Sequence, residues 1–187
     1  MPALLAPAIA LALVLGLAGA AKVLDPTMTV GAMRALHLPS SPTVVRLGAA
    51  AELAIAVAAL TVAGPWPYLL VALSMLAFAL FVATALRRGT MIGSCGCFGR
   101  EDTPPHPIHV ALDLGLAAVA LVGATFPEAP LALVADDLPD SIAVVVLAVV
   151  TAGLLYAAFV DLPRVLAEVR ATARWRGHRR PASRHPL

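Results

Sequence analysis

Five long, mostly apolar runs occupy the greater part of this 187-residue chain: Ala3 to Leu24, Thr43 to Ala63, Trp66 to Leu86, Ile108 to Phe126 and Ser141 to Val160. Each approaches the length a helix needs to cross the hydrocarbon of a bilayer, roughly 20 residues at ~1.5 Å rise. The segments between them are built from helix-ending and turn-forming residues: Asp25-Pro26, Pro39-Ser40-Ser41-Pro42, Gly64-Pro65-Trp66-Pro67, Thr103-Pro104-Pro105-His106-Pro107 and Asp137-Leu138-Pro139-Asp140. The pattern predicts an all-α, multi-pass transmembrane bundle with a four-helix core and a fifth C-terminal span. Residues 1–127 form the four-helix membrane part, with a cysteine-bearing loop at 89–107, and residues 128–187 carry an acidic outer loop, the fifth span and a basic tail.

Composition supports a bilayer setting. Hydrophobic residues make up 60% of the chain, charged residues 13%, and the mean hydropathy is +0.91, more apolar surface than one soluble core of this size hides. Leu17-Ala18-Gly19-Ala20 has the small-residue look of a signal-peptide cleavage site. No Lys or Arg precedes the first run, however, and the run is long enough to span, so it reads as a retained helix.

Charge sets the expected orientation. Lys22, Arg34, Arg46, Arg87, Arg88, Arg100 and the arginines from Arg164 to Arg184 all fall on one side of the five-span arrangement, and the other side has none. Cytoplasmic loops carry the excess of Lys and Arg, so the chain is expected in the cell (inner) membrane with its N-terminus outside. The cysteine loop and the C-terminus are then cytoplasmic. Trp66 and Tyr68 are expected as aromatic anchors at the outer interface. A net charge of +2 gives no reason to expect nucleic acid, because topology accounts for the arginines. In the tail, Val165, Leu166 and Val169 share a helical face edged by Arg164 and Arg170, the pattern either of a short helix on the inner leaflet or of a solvated topogenic tail.

Close helix packing in lipid calls for small residues four apart. Ala8, Ala12, Gly16 and Ala20 form such a stripe on the first run, and Ala50, Ala54 and Ala58 on the second. Glu52 lies about nine residues into the second run, ~13 Å deep at helical rise, where an unpaired carboxylate is costly. Lys22 is its expected partner, with Asp113 and His109 completing a supporting polar cluster; snorkelling to the interface is the alternative for Lys22 and Asp113.

Both cysteines, Cys95 and Cys97, stand in Gly93-Ser94-Cys95-Gly96-Cys97-Phe98-Gly99-Arg100. A disulfide across one intervening residue is strained, hence reducible and reactive, and nearby arginines favour thiolate. The pair thus reads as a redox or exchange site. Two sulfurs with His106 and His109 also make a ligand set for zinc or copper, although the spacing matches no familiar finger; inert cysteines are the third reading. No phosphate loop, nucleotide fingerprint or serine triad is present, so no cofactor is expected.

Gly19-Ala20-Ala21-Lys22-Val23-Leu24-Asp25-Pro26 closing the first run, Glu52 in the second, and Cys95-Gly96-Cys97-Phe98-Gly99 after the third together resemble the MauE family of methylamine utilisation membrane proteins, relatives of the DoxX-like four-helix proteins. The likeness covers roughly Ala3 to Phe126. It implies a thiol-redox or maturation factor rather than a self-sufficient enzyme, one that assists processing, transport or disulfide formation of a periplasmic protein such as the small subunit of methylamine dehydrogenase, beside a thioredoxin-like partner. Cys95 and Cys97 would be the exchanging thiols. A small transporter or metal-handling protein built on Lys22, Glu52 and Asp113 is the alternative. A periplasmic substrate is at odds with a cytoplasmic cysteine loop unless the loop folds back between helices or the bundle exposes it to both sides in turn.

Overall fold

The computed structural model describes residues 2–89, 105–125, 128–136 and 138–178, and their regular structure is entirely helical. Seven helices follow in order: α1 (Pro2–Leu24), α2 (Thr27–Ala35), α3 (Pro42–Thr61), α4 (Trp66–Arg88), α5 (Pro107–Gly123), α6 (Pro130–Asp136) and α7 (Leu138–His178). The five expected runs correspond to α1, α3, α4, α5 and α7.

Local chemistry explains the boundaries. Asp25 Oδ1 accepts from the Thr27 backbone N–H at 3.1 Å and so opens α2, and Ser41 Oγ accepts from the Val44 N–H at 3.1 Å to cap α3, whose first residue is Pro42. α2 ends in a Schellman turn: the His37 N–H donates to Arg34 O at 3.0 Å and the Leu38 N–H to Met33 O at 2.9 Å, with His37 left-handed at φ 60°. Arg46 Nε donates to Val23 O at 3.3 Å and Arg88 Nη1 to Leu36 O at 3.0 Å, so two guanidinium groups satisfy carbonyls at the ends of α1 and α2. These bonds also gather Val23, Leu36, Arg46 and Arg88 at one end of the bundle.

Helix α1 is central. It packs on α3 and α7 and touches α5 and α6, while α4 pairs with α5. Leu11 and Leu15 from α1, Val71 and Met75 from α4, Leu116 and Ala120 from α5 and Phe159 from α7 share one core. The outward faces are oily: Leu73 and Leu80 on α4 and Leu147 and Leu154 on α7 are all more than half exposed. On a soluble protein such surfaces would drive association, whereas in lipid they cost nothing. By length and composition α1, α3, α4 and α7 each suffice to cross a membrane. At 17 residues α5 is shorter, but it runs from the Arg88 end of α4 to beside Tyr68 at the other end, and so traverses the same height. The chain is a multi-pass helical membrane protein.

Four expectations change. The first connection, read as a turn, contains α2, and the acidic outer loop contains α6. The tail is no separate surface helix: α7 continues through Pro163 to His178 over 41 residues, ~61 Å at helical rise. Tyr68 is buried, its ring against Gly123, and only Trp66 is exposed as an interfacial anchor would be. The α3 stripe is out of register, since Ala50 and Ala54 face outward while Val45, Ala49, Ala56 and Ala59 face inward. On α1, by contrast, Ala12 is buried and Gly16 faces Ala56, whose Cβ would be at ordinary contact distance from a Cβ added at Gly16, as the stripe suggests.

α1 comes close to α3 at Gly19, where an added Cβ would stand 2.9 Å from Ala49 O and 3.1 Å from Leu53 N, both backbone atoms. At Gly16 the nearest atom would be Ala56 Cβ at 3.5 Å. Gly19→Ala should therefore lower stability by about 1–3 kcal/mol through overpacking, while Gly16→Ala stays within ~0.5 kcal/mol. Thermal unfolding of the two variants in the same nanodiscs checks this; equal transitions would show that α1 and α3 are not held this closely.

Candidate functional site

The glycine that lets α1 approach α3 also brings their two charges together, because Gly19 and Lys22 lie three residues apart on one helical face. Lys22 Nζ stands 2.5 Å from Glu52 Oε2, with the side chains only 4% and 15% exposed. The ammonium also lies 4.3 Å from the centroid of the Phe78 ring on α4. Apart from this ion pair, neither Nζ nor Oε2 has a hydrogen-bond partner among the described residues. Lys22 thus does not snorkel; it turns inward to meet Glu52, as depth alone suggested it must. The pair borders a cavity of about 310 Å³ between α1, α2, α3 and α4.

His109 and Asp113 are buried on α5, 0% and 2% exposed, and neither lines that cavity. The His109 ring has a structural task. Its Nδ1 accepts from the His106 backbone N–H at 3.1 Å, and His106 Nδ1 accepts from the Ile108 N–H at 3.2 Å, so two imidazoles cap the start of α5. With Nδ1 accepting, the ring carries its proton on Nε2 and donates it to Phe159 O on α7 at 3.0 Å. Pro163, four residues beyond Phe159, has no N–H to offer that carbonyl. His109 takes the place of the missing donor, and its ring stacks on Phe159 with centroids 6.0 Å apart. Both nitrogens of His109 are therefore engaged, which removes it from the proposed metal-ligand set.

Cys95 and Cys97 lie outside the described residues. The chain leaves α4 at Gly89, a left-handed cap with φ 59°, and is described again from Pro105, just before α5. Both flanks belong to the end of the bundle where Arg88 meets Leu36. Over this arrangement the family model for methylamine utilisation protein MauE matches residues 1–126, from α1 to just beyond α5.

The chain belongs to the MauE family. Neither a curated protein nor a solved structure matches it. The MauE portion holds Lys22, Glu52, His109, Asp113 and both cysteines, while α6 and α7 lie beyond it. Yet α7 packs along α1 and supplies the carbonyl that His109 binds, so the segment past the MauE match is fastened into the same bundle.

Sequence reasoning found Lys22 and Glu52 from the cost of burying a lone charge. It missed Phe78, since one phenylalanine among many apolar residues carries no mark. It also missed the link from His109 to Phe159, because the fifth run was read as ending at Val160, short of Pro163, and the donor comes from another helix.

Removing one member of the buried pair leaves the other uncompensated. Lys22→Met in this MauE protein should destabilise the bundle by about 3–5 kcal/mol, whereas Lys22→Met combined with Glu52→Leu should recover most of that loss. Unfolding in nanodiscs measures both, and a double variant no more stable than the single one would contradict the pairing.

Proposed function

We propose that this membrane protein is a thiol-disulfide exchange factor that matures a periplasmic protein, with Cys95 and Cys97 as its reacting thiols. The observation that carries the reading is the Cys95-Gly96-Cys97-Phe98-Gly99 string, placed within a MauE-family chain in the connection between α4 and α5. Three glycines, Gly93, Gly96 and Gly99, permit close approach by a partner backbone. One cysteine thiolate attacks a disulfide sulfur of the partner, forming a mixed disulfide and expelling the partner's other sulfur as a thiolate. The second cysteine attacks the mixed disulfide, releasing the partner as a dithiol and leaving a Cys95–Cys97 disulfide. Two electrons have then passed to the partner, and in reverse the same steps oxidise it. A thioredoxin-like protein is the fitting redox partner, and the methylamine dehydrogenase small subunit a fitting substrate.

The proposed setting is the inner membrane, with the N-terminus outside and the C-terminus in the cytoplasm, because Lys22, Arg34, Arg46, Arg87 and Arg88 collect at the α2 end of the bundle. The cysteine connection then starts at the cytoplasmic end, and exchange with a periplasmic protein requires it to fold back between the helices or to be exposed to both sides in turn. α7 emerges at that same end, with Phe159 beside the start of α5 and about 15 residues continuing past Pro163.

Replacing the resolving cysteine with serine should accumulate a mixed disulfide with a partner on non-reducing gels, and replacing the attacking one should abolish it, with insertion unchanged in both. Full maturation activity in both variants would remove the thiol mechanism. Orientation is read separately: in a Cys95→Ser/Cys97→Ser background, a cysteine placed at Ala132 should react with impermeant maleimide in intact cells, and one placed at Ala182 only after lysis. The reverse pattern would invert the topology.

A further inference from the structure

The cavity beside the ion pair has features that the thiol chemistry does not use. It is lined by the C-terminal end of α1, by α2, by the first half of α3 and by α4, is open on one side, and its volume of about 310 Å³ falls at the lower end of small-molecule sites, roughly 300–1,000 Å³. Met33, Phe78 and Phe81 give it apolar and aromatic walls, Gly48 leaves room on the α3 side, and Lys22 with Glu52 forms its polar corner. Lys22 is 3% exposed, and its ammonium has three N–H bonds, of which the Glu52 ion pair is the sole polar outlet among the described residues. Donors left without an acceptor in an apolar interior are costly.

We propose that this cavity binds a neutral lipophilic molecule with one carbonyl oxygen, held by hydrogen bonding to Lys22. The charge arrangement selects that chemistry. Ammonium and carboxylate are together neutral, so an anionic ligand would meet Glu52 and a cationic one Lys22. A pure hydrocarbon would leave the remaining ammonium donors unmet, and a carbonyl accepts from them without adding charge. The walls take the rest of the molecule by contact with two phenylalanine rings and a thioether. α2 supplies Met33 and so closes the site at the bundle end, which gives a role to the helix that the apolar runs did not announce. The site is independent of the cysteine pair, and its failure would leave the thiol reading untouched.

Benzophenone is both a neutral aryl ketone and a photo-crosslinker, which makes it a direct probe. The protein in lipid nanodiscs, irradiated with radiolabelled benzophenone, should acquire a saturable adduct that maps to Met33, Phe78 or Phe81. Gly48→Leu should abolish that adduct without unfolding the bundle, because Gly48 lines the cavity and a Cβ there would meet nothing within 4 Å, so the larger side chain fits at the cavity's edge without displacing a neighbour. Lys22→Met with Glu52→Leu, which keeps the cavity apolar, should weaken labelling about tenfold, the effect of losing one hydrogen bond to a charged group. Adducts spread without saturation over lipid-facing leucines, or labelling unchanged in both variants, would overturn the proposal. Nanodiscs of ether-linked lipid separate the possible sources. Stronger labelling there than in ester-linked lipid assigns the site to a phospholipid ester carbonyl, and equal labelling assigns it to a diffusible lipophilic ketone or ester.

Discussion

Two opposite charges, Lys22 on α1 and Glu52 on α3, face each other in an interior whose other inward residues are overwhelmingly apolar. Neither tolerates that interior alone. Their contact demands that α1 and α3 lie at one relative height and rotation, and Gly19 supplies the close approach that makes the contact possible. The rest is arranged around that seam. Phe78 brings α4 against the ammonium, α2 closes over the corner, and Arg46 reaches back from α3 to the last turn of α1. In lipid, apolar contact alone selects poorly among helix pairings, so one buried ion pair contributes specificity that leucine and valine do not.

A second fastening ties the chain beyond the MauE match to the part within it. Proline in a membrane helix frees a carbonyl, and the freed carbonyl must find a donor that water cannot provide. His109 is that donor, held in the right tautomer by the N–H of His106. One imidazole thereby caps α5 and completes α7. The cysteine connection enters α5 at this same point, so the region that returns from the thiol loop is anchored to α7 before α5 begins its crossing.

Much of this was legible in the amino-acid order. Apolar runs located α1, α3, α4 and α5 to within a few residues, because prolines, Ser41 and Gly89 mark the ends by well-understood capping chemistry, whereas α7 runs well past the Val160 where its apolar run ends. Glu52 announced a partner, and Lys22 was the nearest. What escaped was tertiary in origin. The nine residues of α2 are too short and too mixed to stand out from a connection, and they are helical because Asp25 caps them, Arg88 satisfies Leu36 O, and Ala32 and Leu36 pack with Ala85. In an alanine-rich helix several small-residue stripes compete, so the rotation that turns Ala49 and Ala56 inward rather than Ala50 and Ala54 is set by Gly19 and Glu52. The continuation of α7 through Pro163 depends on a donor from another helix, which no local pattern reveals.

The seam itself is open to direct measurement. With Lys22 labelled by ¹⁵N at its ammonium and Glu52 by ¹³C at its carboxyl, solid-state dipolar recoupling in lipid bilayers reports whether the two nuclei are in contact. The account predicts strong dephasing of the Glu52 carboxyl signal by the Lys22 ammonium, retained when both cysteines are replaced by serine. A Glu52 carboxyl that shows no coupling to Lys22 would contradict it, and with it the register of α1 on α3.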